Sequence, residues 1–368
     1  MDYRVTAFTD TYLPTVNGVT YTLKCWRDRW NGNGGCMDVV FPRANGYDPG
    51  RGEHPVRSLP FPFYDGFRLG VPSVPKGARD ADLVHAHTPF ALGLSGLRLA
   101  RKRDVPLVSS YHTPAGEYAG YLGPTPWAED KIRGAAETYE RLFFDRSDVL
   151  IVPSKAAMRH VKSQVGVAAD VRVVSNGVDT DRFRPVDHGE FLVRHDLPTD
   201  RPIVGYTGRQ GYEKRVRDLV DAAEGLDATV VLGGDGPARE DLEARAADVD
   251  GDVRFLGFLD REELPAFYSA MDVFAFPSPV ETQGLVAMEA NACGTPVIGA
   301  DAGALADTVE EGVTGYRFPE GDVETVRERI RRALDERDRL SEHCLDRREA
   351  HSVERSLERL RGIYRELI

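Results

Sequence analysis

The order of apolar and polar positions divides the chain into two stretches with the same rhythm. In the first stretch, short runs of β-branched and aromatic residues predict strands at residues 3–8, 37–41, 82–87, 105–112, 148–154 and 171–177. Helical periodicity between these runs predicts helices at residues 22–30, 92–103, 129–146 and 154–166. Such alternation is typical of an α/β protein with a parallel sheet between layers of helices.

The second stretch repeats the pattern, with strands predicted at residues 203–208, 228–234, 253–258, 272–278, 295–300 and 315–318. Pro185 and Pro198 mark a linker between the two stretches. We therefore predict one doubly wound domain at residues 1–190, a second at residues 191–345, and a charged C-terminal helix at residues 346–368 that can cross back to the first domain. A ligand is expected in the cleft between two such domains, outside the carboxyl ends of the strands.

Composition narrows the function classes. A hydrophobic fraction of 41% and a charged fraction of 29% are typical of a globular protein. No run approaches 18 uncharged apolar residues, and the N-terminus lacks the apolar core of a secretory signal, so a cytoplasmic location is predicted. A net charge of −12 without a basic stripe disfavours a nucleic-acid partner.

Metal-ligating residues do not form a recognisable site. The four cysteines are widely spaced and form no CxxC pair: Cys25, Cys36, Cys293 and Cys344. This spacing argues against both a disulfide framework and a structural zinc site. His85 and His87 form an HxH at a predicted strand end, with His112 at the next, and this pattern is more often structural than metallic. We predict no metal and no cofactor.

Two glycine-containing loops follow predicted strands. In the first, at residues 9–23, Asn17 and Gly18 stand before a helix, where backbone amides suit an anion or a sugar hydroxyl. The second places Gly233, Gly234 and Gly236 before another helix, where a base or phosphate can lie close to the backbone. Neither loop is a GxGxxG dinucleotide motif, and ordinary loops or tight turns also fit these sequences.

A pair of cations follows the first predicted strand of the second domain. Arg209 and Lys214 flank a short loop and the first helical turn, so both can converge on a phosphate. Arginine can bind two phosphate oxygens at once, whereas lysine is a point charge for one. A solvated basic patch is the alternative interpretation.

A pair of acids lies in residues 278–299, SPVETQGLVAMEANACGTPVIG. If a helix begins near Gly284, its first amides, including that of Leu285, face a bound anion with a partial positive charge. Glu289 then lies roughly 7 Å along the helix axis, a distance suited to the ribose beside a diphosphate. Glu281, on the preceding loop, can reach a sugar on the other side. A capping acid and a buried, satisfied acid are the alternative.

Taken together, these features resemble the retaining GT-B glycosyltransferases of the glycogen-synthase-like family 4. The resemblance covers nearly the whole chain and rests on the ExxxxxxxE spacing of Glu281 and Glu289, on Arg209 with Lys214, on the Asn17-Gly18 loop and on SNGVD at residues 175–179. It implies two Rossmann-like domains facing across a cleft, the first binding the acceptor and the second a nucleotide sugar, without a metal. Gln283 departs from the family, in which an aromatic residue is common, and an effect on local packing is expected.

The resemblance also implies roles for individual residues. Arg209 and Lys214 would hold the donor diphosphate, Glu289 the ribose and Glu281 the donor sugar, while His112 would reach the sugar near the reacting centre. The full donor set is Gly18, Gly208, Arg209, Lys214, Gly234, Gly236, Glu281, Gly284, Leu285 and Glu289, and the residues expected to act in catalysis are His112, Arg209, Lys214 and Glu281.

The implied reaction is front-face transfer with retention of configuration. The leaving diphosphate takes the acceptor proton, and the two cations stabilise the charge that grows on it. A double displacement would need a carboxylate below the anomeric carbon, and no residue is an obvious candidate for that role.

The acceptor is expected to be a glycerolipid or a lipid-linked glycan. Residues 85–122 are similar to the corresponding region of diacylglycerol glucosyltransferases and of related sulfoquinovosyl and mannosyl lipid transferases. The acceptor residues expected from the first domain are Tyr12, Asn17, Arg68, Glu117 and Tyr118. Peripheral contact with an anionic bilayer would use a group of basic residues and a group of aromatic residues. These are Arg98, Arg101, Lys102 and Arg103, and Phe61, Phe63, Tyr64 and Phe67. A solvated helix face and a packed loop fit these residues equally well.

Two other functions remain open from the sequence. A nucleotide-sugar 2-epimerase or hydrolase has the same fold, but beyond Glu117 the predicted cleft has no obvious acid-base pair. A non-catalytic sugar-nucleotide-binding protein would not need the whole set of phosphate-binding residues. A dinucleotide-dependent dehydrogenase is excluded by its missing glycine motif.

Overall fold

The protein, a computed structural model, is described over residues 3–60, 68–112, 114 and 126–368. The chain forms two compact units, Met1–Asn176 with Ser356–Ile368, and Gly177–Arg355. Each unit has an apolar core of its own. The boundaries expected from the sequence, at residues 190 and 345, both lie inside the second unit.

The first unit is built on a seven-stranded sheet in which every neighbouring pair is parallel. The strands of the unit are β1 (Arg4–Phe8), β2 (Cys36–Pro42), β3 (Glu53–Val56), β4 (Ser58–Pro60), β5 (Arg68–Gly70), β6 (Leu83–Ala86), β7 (Leu107–Ser110), β8 (Val149–Val152) and β9 (Asp170–Val173). The order in the sheet is β3-β2-β1-β6-β7-β8-β9, and β4 and β5 form a separate antiparallel pair. The direction of strand order therefore reverses between β1 and β6.

Helices cover this sheet. In chain order they are α1 (Gly18–Gly32), α2 (Ala91–Arg103), α3 (Pro126–Phe144) and α4 (Lys155–His160), with a π turn at Val161–Val165 and a 3₁₀ turn at Lys76–Ala78. Asn17 determines where α1 begins, because its Oδ1 accepts a hydrogen bond from the Thr20 amide at 2.9 Å.

The second unit has a six-stranded parallel sheet. Its strands are β10 (Ile203–Thr207), β11 (Thr229–Gly233), β12 (Asp252–Gly257), β13 (Val273–Phe276), β14 (Val297–Ala300) and β15 (Gly315–Phe318), in the order β12-β11-β10-β13-β14-β15. Here the order reverses between β10 and β13. Both strands are buried along their whole length, as expected for the centre of a parallel sheet.

The remaining helices follow these strands. They are α5 (Gly189–Arg194), α6 (Val216–Ala222), α7 (Arg239–Asp248), α8 (Leu264–Ala270), α9 (Leu285–Ala292), α10 (Leu305–Thr308), α11 (Val323–Asp335), α12 (Arg337–Arg347) and α13 (Val353–Leu367). Short 3₁₀ turns lie at Tyr212–Lys214 and Arg348–His351.

The last helix, α13, contributes its final part to the first unit, to which residues 356–368 belong. Leu360 and Tyr364 on this segment have no exposed surface. The Tyr364 ring meets the Trp30 ring of α1 edge-on, with the centroids 5.3 Å apart. The C-terminal segment is therefore part of the core of the first unit.

The predicted fold class, two doubly wound α/β domains, is confirmed by the two parallel sheets. The sequence reading missed β3, β4 and β5. All three are short, and Pro55 in β3 and Pro60 in β4 lower the strand signal, since proline cannot donate to a sheet ladder and is tolerated only at its edge.

Candidate active site

In the second unit, the loops after β10 and β13 meet where the strand order reverses. β10 is followed at once by Gly208 and Arg209, and Glu281 lies on the loop after β13. Doubly wound sheets bind their ligands at such a reversal, outside the carboxyl ends of the strands. Five of the ten predicted donor residues, Gly208, Arg209, Lys214, Glu281 and Gly284, therefore lie on these two loops.

Lys214 and Glu281 join these two loops. Lys214 Nζ lies 2.7 Å from Glu281 Oε1, which also accepts a hydrogen bond from Ser278 Oγ at 2.8 Å. The side chains of Lys214 and Glu281 are 21% and 17% exposed, so the pair is largely buried but a ligand can still reach it. The residues predicted for the phosphate and for the sugar thus neutralise each other in this structure.

Arg209 also has an acidic partner. Its Nη2 forms an ion pair with Glu213 Oε1, and its carbonyl oxygen accepts a hydrogen bond from Tyr206 Oη at 3.0 Å. About one third of each side chain of the ion pair remains exposed. An anion can therefore approach the Arg209 guanidinium, in competition with Glu213.

The glycine turn after β11 packs on the loop after β10. A Cβ on Gly234 would lie 2.0 Å from the Gly208 carbonyl oxygen, and one on Gly236 would lie 2.5 Å from the Gln210 carbonyl oxygen. Gln210 is fully buried, and its Nε2 donates to the Gly234 carbonyl at 3.1 Å. These glycines are thus required by backbone contact, whatever they also do for a ligand.

Helix α9 begins as the sequence predicted. Gly284 stands before it with φ at +73°, and a Cβ there would lie 2.8 Å from Leu305 Cδ2. Amides in the first turn of a helix, such as that of Leu285, have no acceptor within the helix. Gln283 beside them is buried, with its Nε2 3.3 Å from Met288 Sδ, so it fills a packing position.

Glu289 lies one turn into α9 and is buried. Its Oε2 accepts a hydrogen bond from Tyr268 Oη at 3.0 Å, and its Oε1 lies 3.7 Å from Arg261 Nη1. Burial raises the pKa of this carboxyl, while Arg261 and the Tyr268 hydroxyl oppose that rise. Arg261 in turn stacks over the Phe183 ring at 5.3 Å from its centroid.

In the first unit, the corresponding reversal lies between β1 and β6. Asp10, after β1, is buried, and it accepts hydrogen bonds from Thr88 Oγ1 at 2.7 Å and from the Leu92 amide of α2 at 3.1 Å. Burial raises the pKa of Asp10 to about 6. Asn17, in addition to capping α1, donates from Nδ2 to Thr11 Oγ1 at 2.8 Å. The next residue, Gly18, is the exposed first residue of that helix.

Tyr12 and Arg68, predicted to meet the acceptor, hydrogen-bond within the first unit. Tyr12 is buried and donates its hydroxyl to Glu53 Oε1 at 2.9 Å, while Arg27 Nη1 lies 3.1 Å from the same oxygen. Arg68 Nε donates to Ser58 Oγ at 2.8 Å. Glu117 and Tyr118 lie outside the described residues, as do Phe61, Phe63, Tyr64 and Phe67.

His112, just after β7, is partly buried and lies at one end of a row of three imidazoles. Its Nε2 is 3.1 Å from His87 Nδ1, and the two rings stack at 10° between their planes. His85 continues the row, with its ring centroid 4.0 Å from that of His87. Burial lowers the pKa of His112 to about 4, so it is a neutral imidazole near pH 7.

Comparison with known proteins assigns the family. Residues 16–182 match the model described as Glycosyltransferase Family 4, and residues 188–350 match the one described as Glycosyl transferases group 1. A GDP-mannose-dependent alpha-mannosyltransferase of Mycobacterium tuberculosis is 33% identical over 332 residues, which are 87% of this chain and 85% of that protein. The chain belongs to family 4 of the glycosyltransferases. Its general activity, transfer of a glycosyl group from a nucleotide sugar, follows from that membership.

Two other relatives match the chain over shorter lengths. An alpha-monoglucosyldiacylglycerol synthase of Streptococcus pneumoniae is 30% identical over 80% of this chain and 70% of that protein. A sulfoquinovosyl transferase of Arabidopsis thaliana is 31% identical over 77% of this chain, and the match spans just 56% of that longer relative.

A solved structure supports the fold of this glycosyltransferase. The sucrose-phosphate synthase from Thermosynechococcus elongatus superposes with a TM-score of 0.79 at 23% identity, over 99% of both chains. At this identity the likeness concerns the fold, and the predicted GT-B fold is confirmed.

In the part of the glycosyltransferase that the structure describes, no cluster of three or more histidines, cysteines or acids is arranged to hold a metal ion. Within the same part, no helix has the length and apolar character needed to cross a membrane.

Four residues beside the candidate residues of the two units were given no site role by sequence reasoning. Tyr268 and Arg261 hold Glu289, while Asp10 and His87 lie at the reversal point of the first sheet. The signal for Asp10 and His87 was available, since Asp10 lies two residues after one predicted strand and His87 is the last residue of another. No spacing in the sequence links Arg261 or Tyr268 to an acid 20 or more residues away.

Proposed function

We propose that the protein transfers a hexose from a nucleotide-diphosphate sugar, of the UDP-glucose or GDP-mannose type, to a hydroxyl of a glycerolipid or lipid-linked glycan. The transfer is front-face, retains the anomeric configuration and needs no metal. The observation that carries the proposal is the convergence of Lys214 and Glu281 at the reversal point of the second sheet, beside the start of α9.

Cations of the second unit bind the diphosphate in this proposal. Glu281 holds Lys214 in one position before the donor arrives, so little side-chain freedom is lost on binding. Arg209 exchanges Glu213 for a phosphate oxygen, and the amides of Gly284 and Leu285 supply further donors at the positive end of α9. These groups stabilise the charge that grows on the leaving diphosphate, which takes the acceptor proton.

Glu289 and Glu281 recognise the sugars of the donor. Arg261 favours the ionised form of Glu289, in which both oxygens can accept hydrogen bonds from ribose hydroxyls. Glu281 Oε1 is used by Lys214 and Ser278, and we assign its other oxygen to the hexose. His112, a neutral imidazole, is assigned to the hexose near the reacting carbon.

The lipid acceptor is supported by sequence relatives and by surface charge. A relative that is 30% identical is named as the synthase of a monoglucosyldiacylglycerol, and another is named as a mannosyltransferase. Four cations at the end of α2, Arg98, Arg101, Lys102 and Arg103, are all exposed, as peripheral contact with an anionic membrane requires. The exposed start of α1 at Gly18, with Asn17 before it, is the acceptor segment proposed within the described residues. Glu117 and Tyr118 keep their proposed acceptor role.

The test is a transfer assay with radiolabelled UDP-glucose, UDP-galactose and GDP-mannose, each with diacylglycerol or glucosyldiacylglycerol in mixed micelles. Label in the organic phase is expected with one donor, in the presence of EDTA, and proton NMR of the product should show the α-anomer. Lys214→Met and Glu281→Gln should abolish most of that label. Arg217→Ala, which removes a surface cation paired with Asp221, is the matched control and should leave it unchanged.

Other outcomes separate the competing functions. Free or isomerised sugar with no labelled lipid would indicate a hydrolase or 2-epimerase. Donor binding without turnover of any of the three sugars would indicate a binding protein. A β-linked product would refute retention, and loss of activity in EDTA would refute metal independence.

A further inference from the structure

Behind His112, two more histidines and a tyrosine of the C-terminal segment continue the row inside the first unit. His85 Nδ1 lies 2.6 Å from Tyr364 Oη, and His85 Nε2 lies 2.8 Å from Ser110 Oγ. Successive contacts therefore run from Tyr364 to His85, His87 and His112. Both ring nitrogens of His85 have partners, so its ring is fixed in place.

The inner imidazoles are neutral near pH 7. His85 and His87 are buried, with exposures of 0% and 1%, and both lie against the indole of Trp26 at ring-centroid distances of 6.3 and 6.0 Å. Burial lowers the pKa of His85 to about 3 and that of His87 well below its ordinary value. Each ring therefore carries one proton, on one of its two nitrogens.

The proton on His87 has one favourable position. Among the described residues, buried His87 Nε2 has no hydrogen-bond partner. A buried N–H without an acceptor is rarer in proteins than a buried acceptor without a donor, so Nε2 is expected to be the unprotonated nitrogen. The proton then lies on Nδ1, which donates to His112 Nε2 at 3.1 Å. His112 must in turn carry its own proton on Nδ1.

We propose that His87 is a positioning residue for the transfer reaction, fixing the ring plane and the Nδ1–H tautomer of His112. Its own ring packs against His85, which Tyr364 in turn holds by a hydrogen bond. The inference rests on the proposed function, in which His112 acts on the hexose of the donor. It adds to that function a residue that has no role in substrate binding and acts only through His112.

The tautomer can be measured without any substrate. In protein labelled with ¹⁵N-histidine, a long-range ¹H–¹⁵N correlation spectrum separates protonated from unprotonated ring nitrogens, and His112→Gln identifies the signals of His112. We expect His112 Nε2 to be unprotonated and Nδ1 protonated in the wild type. His87→Asn, whose amide can replace Nδ1–H, should keep this pattern, whereas His87→Leu should give a mixture. A wild-type His112 protonated on Nε2 would overturn the proposal.

Kinetics separate positioning from a structural role. We expect His87→Leu to lower kcat about tenfold, the lower end of what loss of an outer-shell partner costs at ligating histidines, with the donor KM changed less than twofold. His87→Asn should recover most of that loss. In a His112→Leu background, His87→Leu should have no further effect on kcat, because the two changes act through one group. If His87→Leu lowered kcat in the His112→Leu background as much as in the wild type, His87 would have only a structural role.

A matched control variant and the wild type complete the kinetic test of His87. Ser109, on β7, shares a buried hydrogen bond between its hydroxyl and that of Ser147. Ser109→Ala removes this bond without removing a contact of the histidines, so kcat should stay within twofold. If the wild type transfers none of the three sugars, the proposed function fails and the positioning role falls with it. The NMR measurement would still test the hydrogen bond from His87 to His112, because it needs no substrate.

Discussion

Lys214 shows how a single cation can be kept ready for an anionic ligand. Its ammonium group is anchored by Glu281, and Ser278 holds the same carboxylate oxygen from the loop after β13. A lysine held in this way loses less conformational freedom on binding than a free surface lysine would. At the scale of the residue, preorganisation is therefore the main contribution of the fold to the site.

Replacing Lys214 by methionine keeps an unbranched side chain, one atom shorter, and removes its charge. Because removal of one donor to a developing negative charge typically costs about 100-fold or more in kcat, we expect a loss of that size. Steady-state transfer kinetics measure it, with Arg217→Ala as the charge-matched control. A Lys214→Met enzyme with kcat within threefold of the wild type would contradict the assignment.

Glu213 should oppose donor binding, because it pairs with the Arg209 guanidinium that we propose binds the diphosphate. Glu213→Gln removes that competition and a repulsive charge. Pairs this exposed contribute about 0–1 kcal/mol, so donor Kd should fall by about two- to fivefold. Isothermal titration with UDP or GDP measures the change, and Glu243→Gln, which breaks the Arg239 pair on α7, is the control. Weaker binding by Glu213→Gln would show that Arg209 needs Glu213 for its orientation.

At the scale of elements, a buried acid connects the first strand to a helix. Asp10 follows β1 and accepts a hydrogen bond from the Leu92 amide in the first turn of α2, an amide that has no acceptor within the helix. Thr88 holds the same carboxylate from the loop after β6. The two loops at the reversal point of the first sheet are thereby tied together by one side chain.

Asp10 should give the first unit a distinctive dependence on pH. Its pKa of about 6 in the folded state lies above its ordinary value, so the folded state binds more protons than the unfolded state between about pH 4 and 6. The stabilisation from the protonated form is therefore present at low pH and is lost as the pH rises through about 6. Asp10→Asn, which stays neutral, lacks this loss.

The measurement is denaturant unfolding followed by tryptophan fluorescence, since the three tryptophans, Trp26, Trp30 and Trp127, all lie in the first unit. One pKa unit corresponds to about 1.4 kcal/mol, and the pKa of Asp10 is raised from its ordinary value of 3.8 to about 6. Between pH 4 and 7, the free energy of unfolding of the wild type should therefore fall by about 3 kcal/mol at most, relative to that of Asp10→Asn. A constant difference between the two proteins over this range would mean that Asp10 is ionised throughout.

At the scale of the whole molecule, the chain leaves the first unit at Asn176 and returns to it at Ser356. The returning segment supplies Leu357, Leu360 and Tyr364, all buried, to the core of the first unit. The sequence between these points forms the second unit. The first unit therefore needs residues 356–368, in addition to those up to Asn176, to complete its core.

Truncation of Tyr364 should weaken the first unit alone. Tyr364→Ala removes a fully buried ring against Trp30 and should lower the free energy of unfolding seen by tryptophan fluorescence by about 3–5 kcal/mol. Tyr364→Phe removes only the hydroxyl beside His85 and should cost about 1 kcal/mol. Hydrogen exchange of β10 to β15 should be unchanged in both variants. Loss of protection in those strands would show that the two units unfold together.

Much of the proposed donor site could be placed from the sequence, because its residues lie close to strand ends. Arg209 and Lys214 follow β10 within a few residues, and Glu281 and Glu289 lie on either side of the start of α9, so local periodicity placed all four. The acceptor residues were less predictable. Tyr12 was expected to face a ligand but instead donates its hydroxyl to Glu53, 41 positions away along the chain.

The sequence by itself determined the two α/β sheets, the start of helix α9 and the spacing of its two acids, because strand and helix periodicity and a glycine before a helix are local properties. Only the tertiary structure decided the partners of each charged group. The pairing of Lys214 with Glu281, the support of Glu289 by Arg261 and the row from Tyr364 to His112 join residues far apart in the chain. Burial and hydrogen bonding depend on distance in space, and local sequence patterns do not encode that distance.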